Sequence, residues 1–316
     1  MREYVIALKA GISFTIEFWR KKLALFAVNT GLKCGHGCLY CSTGCLMRMH
    51  PAFTRVGENP FAVGYAMVDP GTPDRVARDA CQKRRRGMVQ VCTIVDAWAP
   101  EAQKYKLGRQ CLDAILSQPG WTVRVLTKNA AVLNDFDVIS QYSSRILLGL
   151  SITATTDKSA ITSIIEPNAS SVSERLNVLK EAHKCGFRSY AMLCPLLPAV
   201  ADSSDQIEEL VGTAIEYGAE EIFVEPVNPR GAGLRLTQAA LENNGYLHEA
   251  AAVEGIRKKE GWSQYVTHLV SNVQRSVRRL SDISRLRFLL YPSRLTEADK
   301  ARIREDHAGV IWLGKD

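Results

Sequence analysis

Short apolar runs separated by segments of helical period recur along the chain from Leu23 onward. Runs of this length bounded by polar or glycine-containing segments predict strands, and apolar positions three to four apart predict amphipathic helices. The predicted strands are Leu23 to Val28, Met88 to Thr93, Thr122 to Thr127, Ile146 to Ser151, Arg188 to Leu193 and Glu221 to Glu225. Most are rich in apolar residues at successive positions. That pattern suits strands covered on both faces, as in a parallel sheet, rather than the alternation of a half-wetted one.

The intervening helices carry start and stop signals. Thr72 is placed to cap a helix with Pro73 at its first position, with Val76, Ala77 and Ala80 on one face and Gly87 at the stop. Ser203 and Gln206 form a capping box ahead of the stripe Ile207, Leu210, Val211, Ala214 and Ile215, and Gly218 ends it. Val172, Leu176, Leu179 and His183 repeat the pattern, with Gly186 at the stop. Strands alternating with helices in this order predict an α/β fold of parallel strands and crossover helices. Six such units are too few to close an eight-stranded barrel, so the expectation is a partial (β/α)6 TIM-like barrel over residues 23–235. A lead-in, residues 1–22, precedes it. A mainly helical C-terminal extension, 236–316, follows, with one strand-like segment, Leu286 to Tyr291.

Composition narrows the class. With 316 residues, 46% hydrophobic and 23% charged, the chain can bury a full core and reads as an ordinary soluble enzyme. No run of eighteen apolar residues occurs, and Met1 to Arg20 mixes charges with apolar residues, so neither a membrane span nor a signal peptide is expected. The nine cysteines are an odd total, and Cys81, Cys92, Cys111, Cys185 and Cys194 are scattered singly, which points to a reducing cytoplasm rather than a disulfide framework. The net charge of +7 favours a polyanionic partner without requiring one. The tetrad Lys83 to Arg86 ends a predicted helix at the face away from the strand ends, where cations complement the helix terminus. Arg275, Arg278, Arg279, Arg285 and Arg287 face a single acid, Asp282; they suit a solvated helix face, or a nucleic-acid contact.

The remaining cysteines carry the chemistry. Cys34, Cys38 and Cys41 are spaced C-x3-C-x2-C in a loop with two glycines, Gly35 and Gly37. Soft thiolates select iron-sulfur or zinc sites, and three on one loop can hold three irons of a [4Fe-4S] cluster, leaving the fourth open. Cys45 follows at the next x3 interval, so a four-thiolate zinc site, as in a zinc-stabilised nucleic-acid-binding module without redox chemistry, is the alternative. The loop begins six residues after the first predicted strand. It therefore lies at the carboxyl-terminal rim, where parallel βα folds place their ligands. Residues just beyond the other strands are polar: Cys92, Thr93 and Asp96, then Lys128, then Ser151, then Cys194.

The cysteine spacing, with aromatic Tyr40 just before the last cysteine, resembles the radical S-adenosylmethionine (radical SAM) superfamily. That resemblance implies a [4Fe-4S] cluster whose open iron is chelated by the amino and carboxylate groups of S-adenosylmethionine (SAM). It further implies cleavage to a 5′-deoxyadenosyl radical that abstracts hydrogen, and an external one-electron reductant of flavodoxin or ferredoxin type. The succession Thr93-Ile94-Val95-Asp96, Thr127-Lys128, Ser151-Ile152-Thr153, Glu166-Pro167-Asn168-Ala169-Ser170 and Glu174-Arg175-Leu176 is similar to the spore photoproduct lyase-like branch, over roughly residues 29–228. It implies that Tyr40 lies near the adenine, and that Lys128 and Ser151 hold polar groups of SAM. It also places Arg175 near the carboxylate and Glu166 at the ribose or on Arg175. Thr93 and Asp96 replace the glycine-rich loop of better-known members, with Asp96 the candidate for meeting the SAM amino group. Cys92 and Cys194 are the candidates for returning a hydrogen atom to a substrate radical, and a nucleobase in DNA or RNA is the substrate such a likeness suggests.

Overall fold

A computed structural model describes residues 1–314. Its strands are β1 (Arg2–Val5), β2 (Ser13–Phe14), β3 (Phe26–Val28), β4 (Gly31–Lys33), β5 (Tyr65–Val68), β6 (Met88–Val91), β7 (Thr122–Thr127), β8 (Ile146–Ile152), β9 (Ser189–Leu196), β10 (Ala219–Pro226), β11 (Leu286–Leu290) and β12 (Val310–Trp312). A nine-stranded sheet runs in the order β12-β11-β10-β9-β8-β7-β6-β3-β2. Every neighbouring pair in it is parallel except β2 with β3. The sheet curls without closing, so the fold is an open, partial barrel of α/β type, as the apolar strand pattern predicts.

All six predicted strands are present. The sheet does not stop at the sixth, however. The strand-like segment after the helical extension becomes β11, which pairs in parallel with β10, and the terminal β12 pairs in parallel with β11. Between β10 and β11 lie three helices, Gly233–Asn243, Leu247–Gly255 and Lys259–Leu280. The residues before the barrel also take part: β1 joins β5 and β4 in a separate three-stranded sheet beside the cysteine loop.

Side chains alternate between two cores, as the period-two geometry of strands requires. Val123, Val125, Leu148, Leu150, Ala191, Leu193, Ile222 and Val224 pack against the helices. Leu147, Tyr190, Met192, Phe223, Leu289 and Ile311 form a second cluster on the inner face. There Arg124 pairs with Glu221 at 2.9 Å and lies over the rings of Tyr190 and Phe223, 4.6 and 5.3 Å from their centroids.

The helix signals hold with two adjustments. Gly71, not Thr72, occupies the cap position of the helix Thr72–Gln82, because Pro73 is tolerated anywhere in the first turn, where amides have no helical partner. In the helix Val172–Lys184 the buried stripe ends at Ala182, and His183 is exposed. Both capping boxes form, Ser203 with Gln206 and Ser171 with Glu174. Arg86 donates to the carbonyls of Cys81, Lys83 and Pro119, consistent with a capping role for the basic tetrad.

Gly149 on β8 lies against the ring of Tyr190 on β9: a Cβ there would stand 2.1 Å from Cζ. Tyr190 is itself pinned, its hydroxyl donating to the Val125 carbonyl at 2.9 Å. Gly149→Ala is therefore expected to lower stability by about 1–3 kcal/mol through overpacking. Urea unfolding would check this, and Tyr190→Leu in the same background is expected to recover part of the loss.

Candidate functional site

The cysteine loop leaves β4 and crosses the carboxyl-terminal ends of the barrel strands. Its position is fixed from several sides. The Leu39 amide donates to the Ile165 carbonyl at 2.9 Å, and the His36 carbonyl accepts from the Asn168 amide at 3.1 Å. The Asn168 side chain donates to the Gly35 carbonyl at 2.9 Å. On the other side the Gly35 amide donates to both carboxylate oxygens of Glu101, each at 3.0 Å. Glu101 is buried, and burial pushes its carboxyl up to about 7. No sequence signal marks Glu101, because its partner lies 66 residues away and the short helix Pro100–Lys104 carries it there.

The three cysteines share one environment. Burial pushes the Cys34 thiol up, and Cys41 and Cys38 push it further. Burial likewise raises Cys38, to about 12. Burial lowers the Lys33 ammonium, while Cys41 and Cys34 act the other way, as a cation beside thiolates should. Cys45 is directed elsewhere: its sulfur lies 3.9 Å from the Arg48 guanidinium, and its Cβ faces Gly231. Among the described residues no three Cys, His, Asp or Glu side chains converge closely enough to hold a metal ion. Thiolates around one zinc, with bonds of about 2.3 Å, would have to converge in that way, whereas a cubane takes each thiolate on a different iron. The three-sulfur donor set fits an iron-sulfur cluster better than a four-thiolate zinc site.

Directly beside the loop is a buried ionic network centred on Glu166. Its Oε1 accepts from the Tyr40 hydroxyl and from Lys128 Nζ at 2.7 Å. Its Oε2 accepts from Arg175 at 2.5 Å and from the Thr153 hydroxyl at 3.2 Å. Burial alone would raise this carboxyl; Lys128 and Arg175 outweigh it and hold it down at about 2. Arg175 is 1% exposed and also donates to the Ser151 carbonyl at 2.7 Å. Lys128 lies 5.4 Å from the Tyr40 ring centroid and donates to the Cys194 carbonyl at 3.2 Å. The Ser151 hydroxyl donates to that same carbonyl at 2.8 Å. Tyr40, Lys128, Ser151, Glu166, Arg175 and the Cys194 backbone, predicted at separate strand ends, thus form one connected set.

Asp96 supports this set from below. It accepts from the Thr127 hydroxyl at 2.9 Å, the Lys128 amide at 2.8 Å and the Trp98 amide at 2.9 Å, and His36 Nδ1 lies 3.6 Å away. Its acceptor capacity is taken up by the chain itself, which makes it a positioning residue here. Thr93 is tied to Asn29, whose Oδ1 accepts from the Thr93 amide at 2.8 Å, and so orders the chain entering the loop.

The two candidate thiols lie in different settings. Cys92 is buried in the helix-facing core, 3.6 Å from the Thr30 hydroxyl, and burial pushes its thiol up to about 12. Cys194 packs against the inner-face cluster, with its sulfur 3.8 Å from Glu225. Glu225 is held in turn by Lys21 at 3.3 Å, and Lys21 lies between the rings of Phe18 and Tyr291, 5.5 Å from each centroid. Of the extension arginines, Arg278 pairs with Asp306 through two 2.7 Å bonds, Arg279 pairs with Glu208, and Arg287 lies 3.4 Å from Glu221. No helix among the described residues is long and apolar enough to cross a membrane.

The fold and this rim arrangement are those of radical SAM proteins of the spore photoproduct lyase-like type. Spore photoproduct lyase complexed with dinucleoside spore photoproduct superposes with a TM-score of 0.60 at 14% identity, covering 88% of this chain and 79% of that one. A mutant of the same enzyme with bound AdoMet and dinucleoside spore photoproduct gives a TM-score of 0.56 at 14% identity, covering 81% and 74%. In sequence, the chain is 27% identical over 225 residues to an uncharacterized protein of Acidianus two-tailed virus, covering 68% of this chain and 71% of that protein. It is 22% identical over 254 residues to an uncharacterized protein of Methanocaldococcus jannaschii, covering 80% and 87%. No family model matches the chain.

Glu101 supplies a test of the loop's support. A carboxyl raised above its unfolded value contributes stability below that value and loses it as pH rises through about 7. Glu101→Gln keeps an acceptor for the Gly35 amide without the charge. In thermal unfolding of the protein without added iron, wild type is expected to lose stability relative to this variant between about pH 5 and about pH 8.5. A pH-independent difference would contradict the buried carboxyl.

Proposed function

We propose that this protein is a radical SAM enzyme carrying one [4Fe-4S] cluster on Cys34, Cys38 and Cys41. The observation that carries the reading is the direct junction of the cysteine loop with the buried set at the strand ends, through the bond of Tyr40 to Glu166 and of Glu166 to Lys128 and Arg175. Bound there, the cluster and SAM would supply reductive cleavage to a hydrogen-abstracting deoxyadenosyl radical.

The protein's own residues do the rest. Arg175 and Lys128 bring positive charge to a site for the carboxylate of an amino-acid moiety. Tyr40, its hydroxyl fixed by Glu166, offers a ring as a platform for adenine. Ser151 and Lys128 converge on the Cys194 carbonyl and fix the residue whose side chain points to the inner face, where a substrate entering the barrel would lie. Cys194, placed there, is better situated than core-packed Cys92 to give a hydrogen atom to a substrate radical. An external one-electron reductant is required. A nucleobase substrate is supported by the likeness in fold to an enzyme solved with a dinucleoside photoproduct.

Anaerobic reconstitution is expected to load about four iron and four sulfide per chain. With dithionite and SAM the loaded protein should form 5′-deoxyadenosine, and Cys38→Ala should abolish both cluster loading and product. Stoichiometric zinc in place of iron, or a loaded cluster that leaves SAM intact, would overturn the reading.

A further inference from the structure

The histidine inside the cysteine loop has an unmet polar atom. His36 is 1% exposed, and its Nε2 is buried without a hydrogen-bond partner. A buried polar atom left unpaired costs about 1–3 kcal/mol, so folded proteins rarely keep one without a use. The rest of the residue is held: its carbonyl accepts from the Asn168 amide, and its Nδ1 faces the Asp96 carboxylate at 3.6 Å. Asp96 is anchored by Thr127, Trp98 and Lys128, so the ring has a firm support on one edge and none on the other.

The chemistry of the free edge follows from the held one. A carboxylate only accepts, so the nitrogen facing Asp96 is the one that carries hydrogen, and in a neutral imidazole the other nitrogen presents a lone pair. Lys128, Glu166 and Arg175 surround the ring together with Asp96. The two cations direct their bonds to Glu166, Ser151 and Cys194 rather than to the imidazole. A donor for Nε2 must therefore come from outside the chain. It must also reach a site lying between Cys34 and Cys38 and beside the Glu166 network.

Resting on the radical SAM reading of this site, we infer that His36 Nε2 accepts a hydrogen bond from the α-amino group of bound SAM. This role differs from the expectation for Asp96, whose oxygens are occupied; Asp96 acts instead by orienting the imidazole. An amino nitrogen that gives its lone pair to iron keeps its N–H bonds, so an acceptor beside the loop complements metal binding and does not compete with it.

The test uses the reconstituted protein and equilibrium dialysis with two probes, SAM and the SAM analogue lacking the α-amino group. Iron and sulfide content is measured on every sample. His36→Phe keeps a planar ring and removes both nitrogens; His36→Gln restores a carbonyl acceptor. In wild type SAM should bind more tightly than the desamino analogue. In His36→Phe that preference should shrink about tenfold to a hundredfold, as for loss of a hydrogen bond to a charged group, with iron content unchanged. His36→Gln should recover part of the preference. A loss of affinity that is equal for both probes would assign the ring a packing role, or a bridging water on Nε2, and overturn the inference while leaving the radical SAM reading intact. Loaded wild-type protein that binds neither probe would overturn both.

Discussion

A single buried carboxylate holds the rim together. Glu166 receives Tyr40 from the cysteine loop, Lys128 from beyond β7, Thr153 from beyond β8 and Arg175 from the helix Val172–Lys184. Taking a carboxylate and a guanidinium out of water costs several kcal/mol per ion, which is recovered only when each charge is paired and its remaining polar atoms are bonded. Glu166 meets that condition with donors on both oxygens, and its carboxyl is held at about 2 despite burial. Such a pair is weak evidence for stability in itself. Its consequence is geometric: four segments distant in sequence must arrive together for the charge to be tolerated.

The barrel makes that arrival feasible. Parallel pairing from β3 through β12 brings all strand ends to one rim, and the alternation of side chains sends one set to the helices and the other to the inner face. Ser151 and Cys194 belong to the inner set, which is why a hydroxyl and a thiol meet next to Lys128 instead of vanishing into the apolar core. Cys92 shows the opposite outcome, packed against Thr30 in the helix-facing layer. Lys21 and Tyr291 reach the same inner space from opposite ends of the chain. A partial barrel thus gathers its mouth from segments before and after the predicted core as well as from within it.

A second tier lies under the first. Asp96 gathers Thr127, Trp98 and the Lys128 amide and faces His36, while Glu101 holds the Gly35 amide. These two acids support the loop by accepting hydrogen bonds from its backbone or from the residues beneath it. The cysteines themselves are only partly covered, with Cys41 exposed, so the loop is anchored through glycine and histidine positions while its thiols remain available.

The sequence by itself determined the elements and the reaction class to be tested. Apolar runs of strand length, helix caps and the C-x3-C-x2-C spacing are local patterns, and local patterns are set by backbone geometry and side-chain period. Tyr40, Lys128, Ser151, Glu166 and Arg175 were legible as separate rim positions for the same reason. Only the tertiary structure decided which of them touch. It also decided that Asp96 is saturated, that Cys92 and Cys194 face different layers, and that β11 and β12 extend the sheet beyond the sixth strand. Glu101 and His36 were illegible because their roles rest on a partner dozens of residues away and on an unmet buried atom. Contacts of that range have no period in the sequence; they follow from strand order, which is settled when the whole sheet packs.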